Sequence, residues 1–154
     1  MRKVGVILCS KTKANKPMEA WKMYKDSVLF TAKQAFMDMM YDEWYINTAV
    51  YGFMKPEQWI EPYESSYLIA TSSNSQLKNS GGVTDKEEID RWLVKLDKAF
   101  PDKNNIEIHS HMSQAHTKLL KTIFPNVVYI KSEVSFTSTA WKYVDACHKA
   151  LSGA

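Results

Sequence analysis

Short apolar runs alternate along this chain with segments whose apolar residues recur every three or four positions. That alternation is its strongest constraint. Strands separated by helical crossovers must lie parallel, and a parallel sheet needs helices on both faces. Val4–Leu8 is a near-continuous apolar run and reads as a buried strand. Ser27 stands where a helix cap belongs, ahead of Val28, Leu29, Ala32, Ala35, Phe36, Met39 and Met40 on one helical face. Trp44–Thr48 reads as a second strand, and Gly52 after it suits a positive-φ turn. Thr84 and Glu87 have capping-box spacing, and Ile89, Trp92, Leu93, Leu96 and Phe100 then repeat until Pro101 stops the helix. Ile106–Ile108 is a third strand. A helix carrying Met112, Ala115, Leu119, Leu120 and Ile123 follows, ending before Pro125. Val127–Ile130 is a fourth strand, and Phe136, Ala140, Val144, Cys147 and Leu151 mark a closing helix. Residues 11–25, 55–64 and 71–82 read as loops, the second punctuated by Pro56 and Pro62 and the third a candidate lid. The expected fold is a single-domain, three-layer α/β/α arrangement over residues 1–154, with a mostly parallel sheet of four to five strands.

Composition agrees with a folded α/β domain. At 45% hydrophobic and 24% charged, with 5 Gly and 5 Pro, the sequence is not of a disordered or fibrous class. No apolar run reaches the roughly 18 residues of a membrane span, and the opening lacks the pattern of a signal peptide. Cys9 and Cys147 cannot make a disulfide framework, so a reducing cytoplasm is the expected compartment. Charge is uneven. Residues 1–34 hold eight basic and two acidic side chains, hence +6, whereas residues 35–77 hold one and six, hence −5. A basic opening suits a phosphate-bearing partner, although lysines on solvated helix faces give the same count.

Ligands of open α/β sheets bind beyond the carboxyl ends of the strands. Here those positions carry Cys9, Ser10, Lys11, Thr12 and Lys13 after the first strand, and Thr48, Tyr51 and Gly52 after the second. His109, Ser110 and His111 follow the third, and Lys131, Ser132 and Glu133 the fourth. Hydroxyls, cations and aromatic rings of this kind suit a phosphate, a ribose or a nucleobase. Cys9 beside two lysines has the setting of an activated thiol, or of a small residue finishing a strand. Lys11 reads as a phosphate anchor, a Schiff-base amine or a surface lysine. Ser27 is a helix cap that can also turn helix amides toward a phosphate. Tyr63 suits base stacking and Glu64 proton transfer or a ribose contact, or the pair pins a proline loop. His109 is a candidate base, with Ser110 beside it. His109, His111 and His116 lack a matching carboxylate, so no metal is expected. No Walker, dinucleotide, nucleophile-elbow or paired-cysteine motif is present, and no cofactor is implied.

Cys9-Ser10-Lys11-Thr12-Lys13 after an apolar strand resembles a family of small bacterial and phage proteins with a "CSKTK" opening. Met23–Phe30, Trp44–Phe53 and Pro56–Glu64 match further motifs of that family in order, so the resemblance covers about the first 64 residues. The pattern is distantly similar to the YaaA family, which is linked to peroxide stress and DNA binding, and to the core domain of archaeosine synthase. Where related small proteins tend to carry glycine after the third strand, this chain carries His109-Ser110-His111. The resemblance implies an enzyme acting on a nucleobase, nucleotide or nucleic acid, by base modification, transfer or glycosidic cleavage. The alternatives are a non-catalytic DNA- or RNA-binding protein and a nucleotide-sequestering phage-type protein. In the enzymatic reading Lys11, Glu64 and His109 are catalytic. Cys9, Ser10, Lys13, Ser27, Tyr51, Gly52, Tyr63 and Ser110 bind the ligand, the partner is a nucleic acid or nucleotide, and no membrane is involved.

Overall fold

A computed structural model describes residues 1–9, 13–48, 51–63 and 86–130. In chain order these form β1 (Arg2–Leu8), β2 (Met18–Glu19), α1 (Ala20–Met23), α2 (Val28–Met40), β3 (Glu43–Thr48), β4 (Gly52–Met54) and β5 (Trp59–Ile60). Then come α3 (Lys86–Ala99), a 3₁₀ turn (Lys103–Asn105), β6 (Ile106–Ser110), α4 (Gln114–Leu120) and β7 (Val127–Tyr129). Five strands make one sheet in the order β4-β3-β1-β6-β7. β1 pairs in parallel with both β3 and β6, β6 in parallel with β7, and only β4 runs antiparallel, against β3. The expected mostly parallel α/β sheet is therefore present, with five strands. No helix among the described residues is long and apolar enough to cross a membrane.

The pleat sends alternate residues of each strand to opposite faces, and each face has its own core. Ile7 and Ile46 face Phe30, Ala32, Phe36 and Met37 of α2, together with Met23, Tyr24 and Ile60. Val4, Val6, Ile106 and Ile108 face Trp92 and Leu96 of α3, with Phe100, Leu120 and Phe124. Ser27 caps α2 as expected, its Oγ accepting from the Phe30 amide at 3.1 Å. Gly52 takes φ +70° at the turn into β4.

Four readings change. The stretch 11–25 contains β2 and α1, and the Pro-punctuated stretch 55–64 contains β5. Two-residue strands lack a readable period, and here each exists through the other, with Met18 paired to Ile60 and Glu19 to Trp59. Ala20 N–H also donates to Gln58 O at 2.7 Å, and Trp21 N–H to Pro56 O at 2.9 Å. The buried stripe of α2 is rotated from the expected one: Phe36 and Met37 are buried while Ala35, Met39 and Met40 are exposed. Finally, β6 runs on to Ser110, so His109 and Ser110 belong to the strand and not to the loop after it. Thr84, the stretch 71–82 and the closing helix of 136–151 lie outside the described residues.

Candidate functional site

The chain leaves central β1 to build β3 on one side, then returns to build β6 on the other. Loops diverge where such a reversal occurs, and ligands of open α/β sheets bind in the crevice there, at the carboxyl ends of β1 and β6 in this topology. Cys9 follows β1 directly and His111 follows β6 directly. Cys9 N–H donates to Asn47 O, and His111 N–H donates to Val6 O at 2.9 Å, so both continue their ladders. Gly5 is in register with His109; two residues on, His111 stands beside Ile7, and Cys9 is the next β1 residue on that face. Both side chains therefore lie on the α2 side. Lys33 of α2 acts electrostatically on Cys9 and on His111.

Around Cys9, separated stretches converge. Tyr63 follows β5, and its hydroxyl and the Cys9 thiol act on one another's titration. The Tyr63 hydroxyl also lies 2.5 Å from the hydroxyl of buried Tyr24. A phenol has one proton. Either phenol can donate that one proton to the other. Lys13 Nζ sits 4.6 Å above the Tyr63 ring, and Tyr51 meets that ring edge-on at 5.7 Å. Burial pushes the Cys9 thiol above its ordinary pKa, against the opposing pull of the Tyr63 hydroxyl, Lys13 and Lys33. Burial likewise raises Tyr63 and Tyr24, each reinforced by Cys9. The resting cluster is a neutral thiol on two neutral phenols, with a cation at its rim.

A second cluster lies deeper on the same face. Tyr41 Oη is 3.0 Å from His109 Nδ1 and 2.9 Å from His111 Nε2, and His109 Nε2 is 2.5 Å from Glu107 Oε1. Gly5 makes this possible. A Cβ there would stand 2.4 Å from Met37 Cε and 2.7 Å from the Tyr41 ring, so only a glycine lets Tyr41 lie across β1 to reach β6. Both histidines and Tyr41 are buried. Burial, then repulsion from His109 and Lys33, lowers the His111 pKa from 6.5 to about 3.

With this geometry stands a sequence match that covers most of the chain, residues 4–133. The chain belongs to DUF6884, a family of unknown function. No curated protein matches it. The DUF6884 stretch includes both clusters and all the described strands but for the first two residues of β1.

Of the residues expected at the site, Cys9, Lys13, Tyr51 and Tyr63 come together. Ser10, Lys11 and Glu64 lie outside the described residues, as do Lys131, Ser132 and Glu133. Ser27 Oγ is engaged as the α2 cap, and Gly52 makes its turn against Lys95 of α3. Ser110 is fully buried with its Oγ 2.8 Å from Thr117 Oγ1, a contact with α4 on the opposite face from Cys9. Both ring nitrogens of His109 are occupied, which makes it an internal link. Among the described residues no trio of His, Cys, Asp or Glu is placed to hold a metal. His109 and His111 meet at a phenol instead, and His116 Nδ1 pairs with Ser113 Oγ at 2.7 Å. Sequence reasoning missed Tyr24, Lys33, Tyr41 and Glu107. One signal pointed to Tyr41: Gly5 interrupts an otherwise apolar strand, which marks a close approach by another part of the chain.

Proposed function

We propose that this DUF6884 protein acts on a nucleobase, a nucleotide or nucleic acid in the crevice at the carboxyl ends of β1 and β6. One observation carries the reading. Cys9 and Lys13 after β1, Tyr51 after β3 and Tyr63 after β5 gather at one place, with the Lys13 ammonium over an aromatic ring. A cation beside aromatic surface and hydroxyls matches the three parts of a nucleotide: phosphate, base and sugar. The resemblance of the opening to the "CSKTK" proteins, and more distantly to YaaA and archaeosine synthase, supports the same ligand class. In this reading Lys11 with Ser10 holds the anionic part and Glu64 moves protons, during base modification, transfer or glycosidic cleavage in a reducing cytoplasm.

The test is a thermal-shift and mass-spectrometric screen against nucleosides, nucleotides and short single- and double-stranded oligonucleotides. A ligand that binds only the native state raises its melting temperature, and a changed ligand mass reports turnover. The expected result is a shift with altered mass, lost in Lys11→Ala and Lys13→Ala while their unliganded melting stays near wild type. A shift without turnover favours a binding protein, a reading to which the +6 of residues 1–34 lends weight; affinity would then fall steeply with salt. No shift with any of these ligands rules the reading out.

A further inference from the structure

Buried polar atoms in folded proteins nearly always have partners. Among the described residues two buried side-chain atoms lack one: His111 Nδ1 and His116 Nε2. His116 lies within α4 and its other nitrogen is tied to the Ser113 cap. His111 differs, because its other nitrogen ends a chain of hydrogen bonds that starts at a carboxylate.

The direction of every bond in that chain follows from its ends. A carboxylate only accepts, so His109 Nε2–H donates to Glu107. With His109 neutral, its Nδ1 is bare and accepts from the Tyr41 hydroxyl. The Tyr41 oxygen then accepts from His111 Nε2–H. His111 Nδ1 is left as a bare, buried lone pair, on the same face of the sheet as Cys9. With one more proton the whole chain reverses. The proton arrives at His111 Nδ1, His111 Nε2 gives its proton to Tyr41, and Tyr41 gives its own to His109 Nδ1. One proton has entered; His111 and Tyr41 have each received one and passed one on, and His109 has kept the last. The positive charge rests on His109 against Glu107, and His111 is neutral in both states. Glu107 keeps its side chain about 29% exposed, which gives the proton a way out to water.

We propose that His111 is the proton-transferring residue of the β1–β6 crevice, and that Tyr41 and His109 carry its proton to Glu107. The relay deepens the function proposed above and rests on it only for the identity of the proton donor. It also accounts for a base that is itself too buried to hold charge. Desolvation, then repulsion from His109 and Lys33, opposes a charged His111, and the relay moves the charge to a histidine that faces a carboxylate. The titratable groups around it are Lys33 of α2, Tyr41 just after that helix, His109 and Glu107 of the preceding strand β6, and Cys9 just after β1. Lys3 of β1 is in register with Glu107.

The first test needs no substrate. Nitrogen-15 NMR of the full chain reads the tautomer and charge of each histidine across an acid titration. The expected result is Nε2–H on both His109 and His111 at high pH. As His109 becomes charged, His111 should switch to Nδ1–H while remaining neutral. Tyr41→Phe should abolish the switch and leave His109 titrating alone. An unchanged His111 tautomer in wild-type protein while His109 titrates overturns the relay. The second test uses a ligand that the screen shows to be turned over. His111→Gln should lower kcat about 10²-fold or more with KM nearly unchanged, the size of effect expected for a lost acid–base group. An unchanged kcat overturns the catalytic role. If no ligand is turned over, that role falls together with the enzymatic reading, while the tautomer experiment still decides the relay.

Discussion

The two faces of the sheet are built to different rules. Against α3 and α4 the strands offer aliphatic residues to stacked and edge-on aromatic rings: Phe53, Trp92, Phe100 and Phe124. Two polar contacts on that face are closed off, while His116 Nε2 of α4 has no partner among the described residues. Trp92 Nε1–H donates to Asn47 Oδ1 at 2.8 Å, and Ser110 bonds Thr117. Against α2 the strands offer a glycine, a cysteine and two histidines, and the helix side returns phenols and an ammonium. There Tyr41 and two histidines form a chain that ends on an unpartnered imidazole nitrogen, and two phenols meet beside a thiol. A parallel sheet buried on both sides can devote one face to packing and keep titratable groups on the other. The difference teaches that burial alone does not identify a core: it matters whether the titratable groups stand apart or are joined in a chain.

The largest expected effect tests the packing face. Phe124 is 1% exposed and contacts both Phe53 and Phe100, so Phe124→Ala should cost about 3–5 kcal/mol. Urea unfolding measures this, and the His111 tautomer switch should survive in the folded fraction. A loss under about 1 kcal/mol would mean that this face is not the packing core. Next is acid. His111 titrates at about 3 and His116 at about 4 in the folded chain, against 6.5 when free. Between those values the unfolded chain binds more protons. Stability therefore falls as pH drops below about 6.5, by up to roughly 1.4 kcal/mol per pH unit for each histidine, and the loss levels off below the folded values. Unfolding curves at pH 7, 5.5 and 4.5 should show this slope, and His111→Gln and His116→Gln should each remove part of it. A flat profile in both variants and the parent would dispose of the idea that these rings are held neutral.

How much of this could be read beforehand depended on whether the signal was periodic. Val4–Leu8 and the Trp92–Leu96–Phe100 stripe repeat at spacings that sequence displays, and the parallel sheet follows from their alternation. The α2 stripe was off because methionine serves on either side of a helix. Met39 and Met40 look as apolar as Met37, and the rotation is decided by Tyr41, which must reach two histidines across Gly5. β2 and β5 were invisible because each is two residues long and exists only through the other. The Cys9 cluster was half legible: its strand-end position follows from topology, but Tyr24 joins it through a contact 39 residues away. The histidine chain was least legible, because reading β6 as ending at Ile108 put His109 in a loop. Two residues more of strand put it in register with Gly5.

The third expected effect tests the one position that lets the α2 face differ from its opposite. Gly5→Ala puts a methyl 2.4 Å from Met37 Cε and under 3 Å from two atoms of the Tyr41 ring. Met37 ends in a flexible thioether that can move, whereas Tyr41 is held by both histidines. The cost should be about 1–3 kcal/mol, as for other overpacked sites, and the histidine NMR signals should change with it. Unaltered His109 and His111 signals in a destabilised Gly5→Ala protein would show that the relay does not depend on Tyr41 lying across β1.

The smallest effect separates a structural residue from a ligand-binding one at the same end of the sheet. Because β1 and β3 are parallel, the α2 crossover runs back between them, and its capped start lies at the carboxyl end with Cys9. Ser27→Ala removes the acceptor for the Phe30 amide and should cost about 1 kcal/mol, whatever else Ser27 does. Ser27→Asp keeps an acceptor at the cap and adds a negative charge. If Ser27 only caps, the aspartate variant melts like wild type and the nucleotide-induced shift is the same in all three proteins. If the start of α2 also faces the anionic part of a ligand, the aspartate repels it. Melting then stays high while the shift is lost, an outcome that would extend the crevice from the β1–β6 gap onto α2 itself.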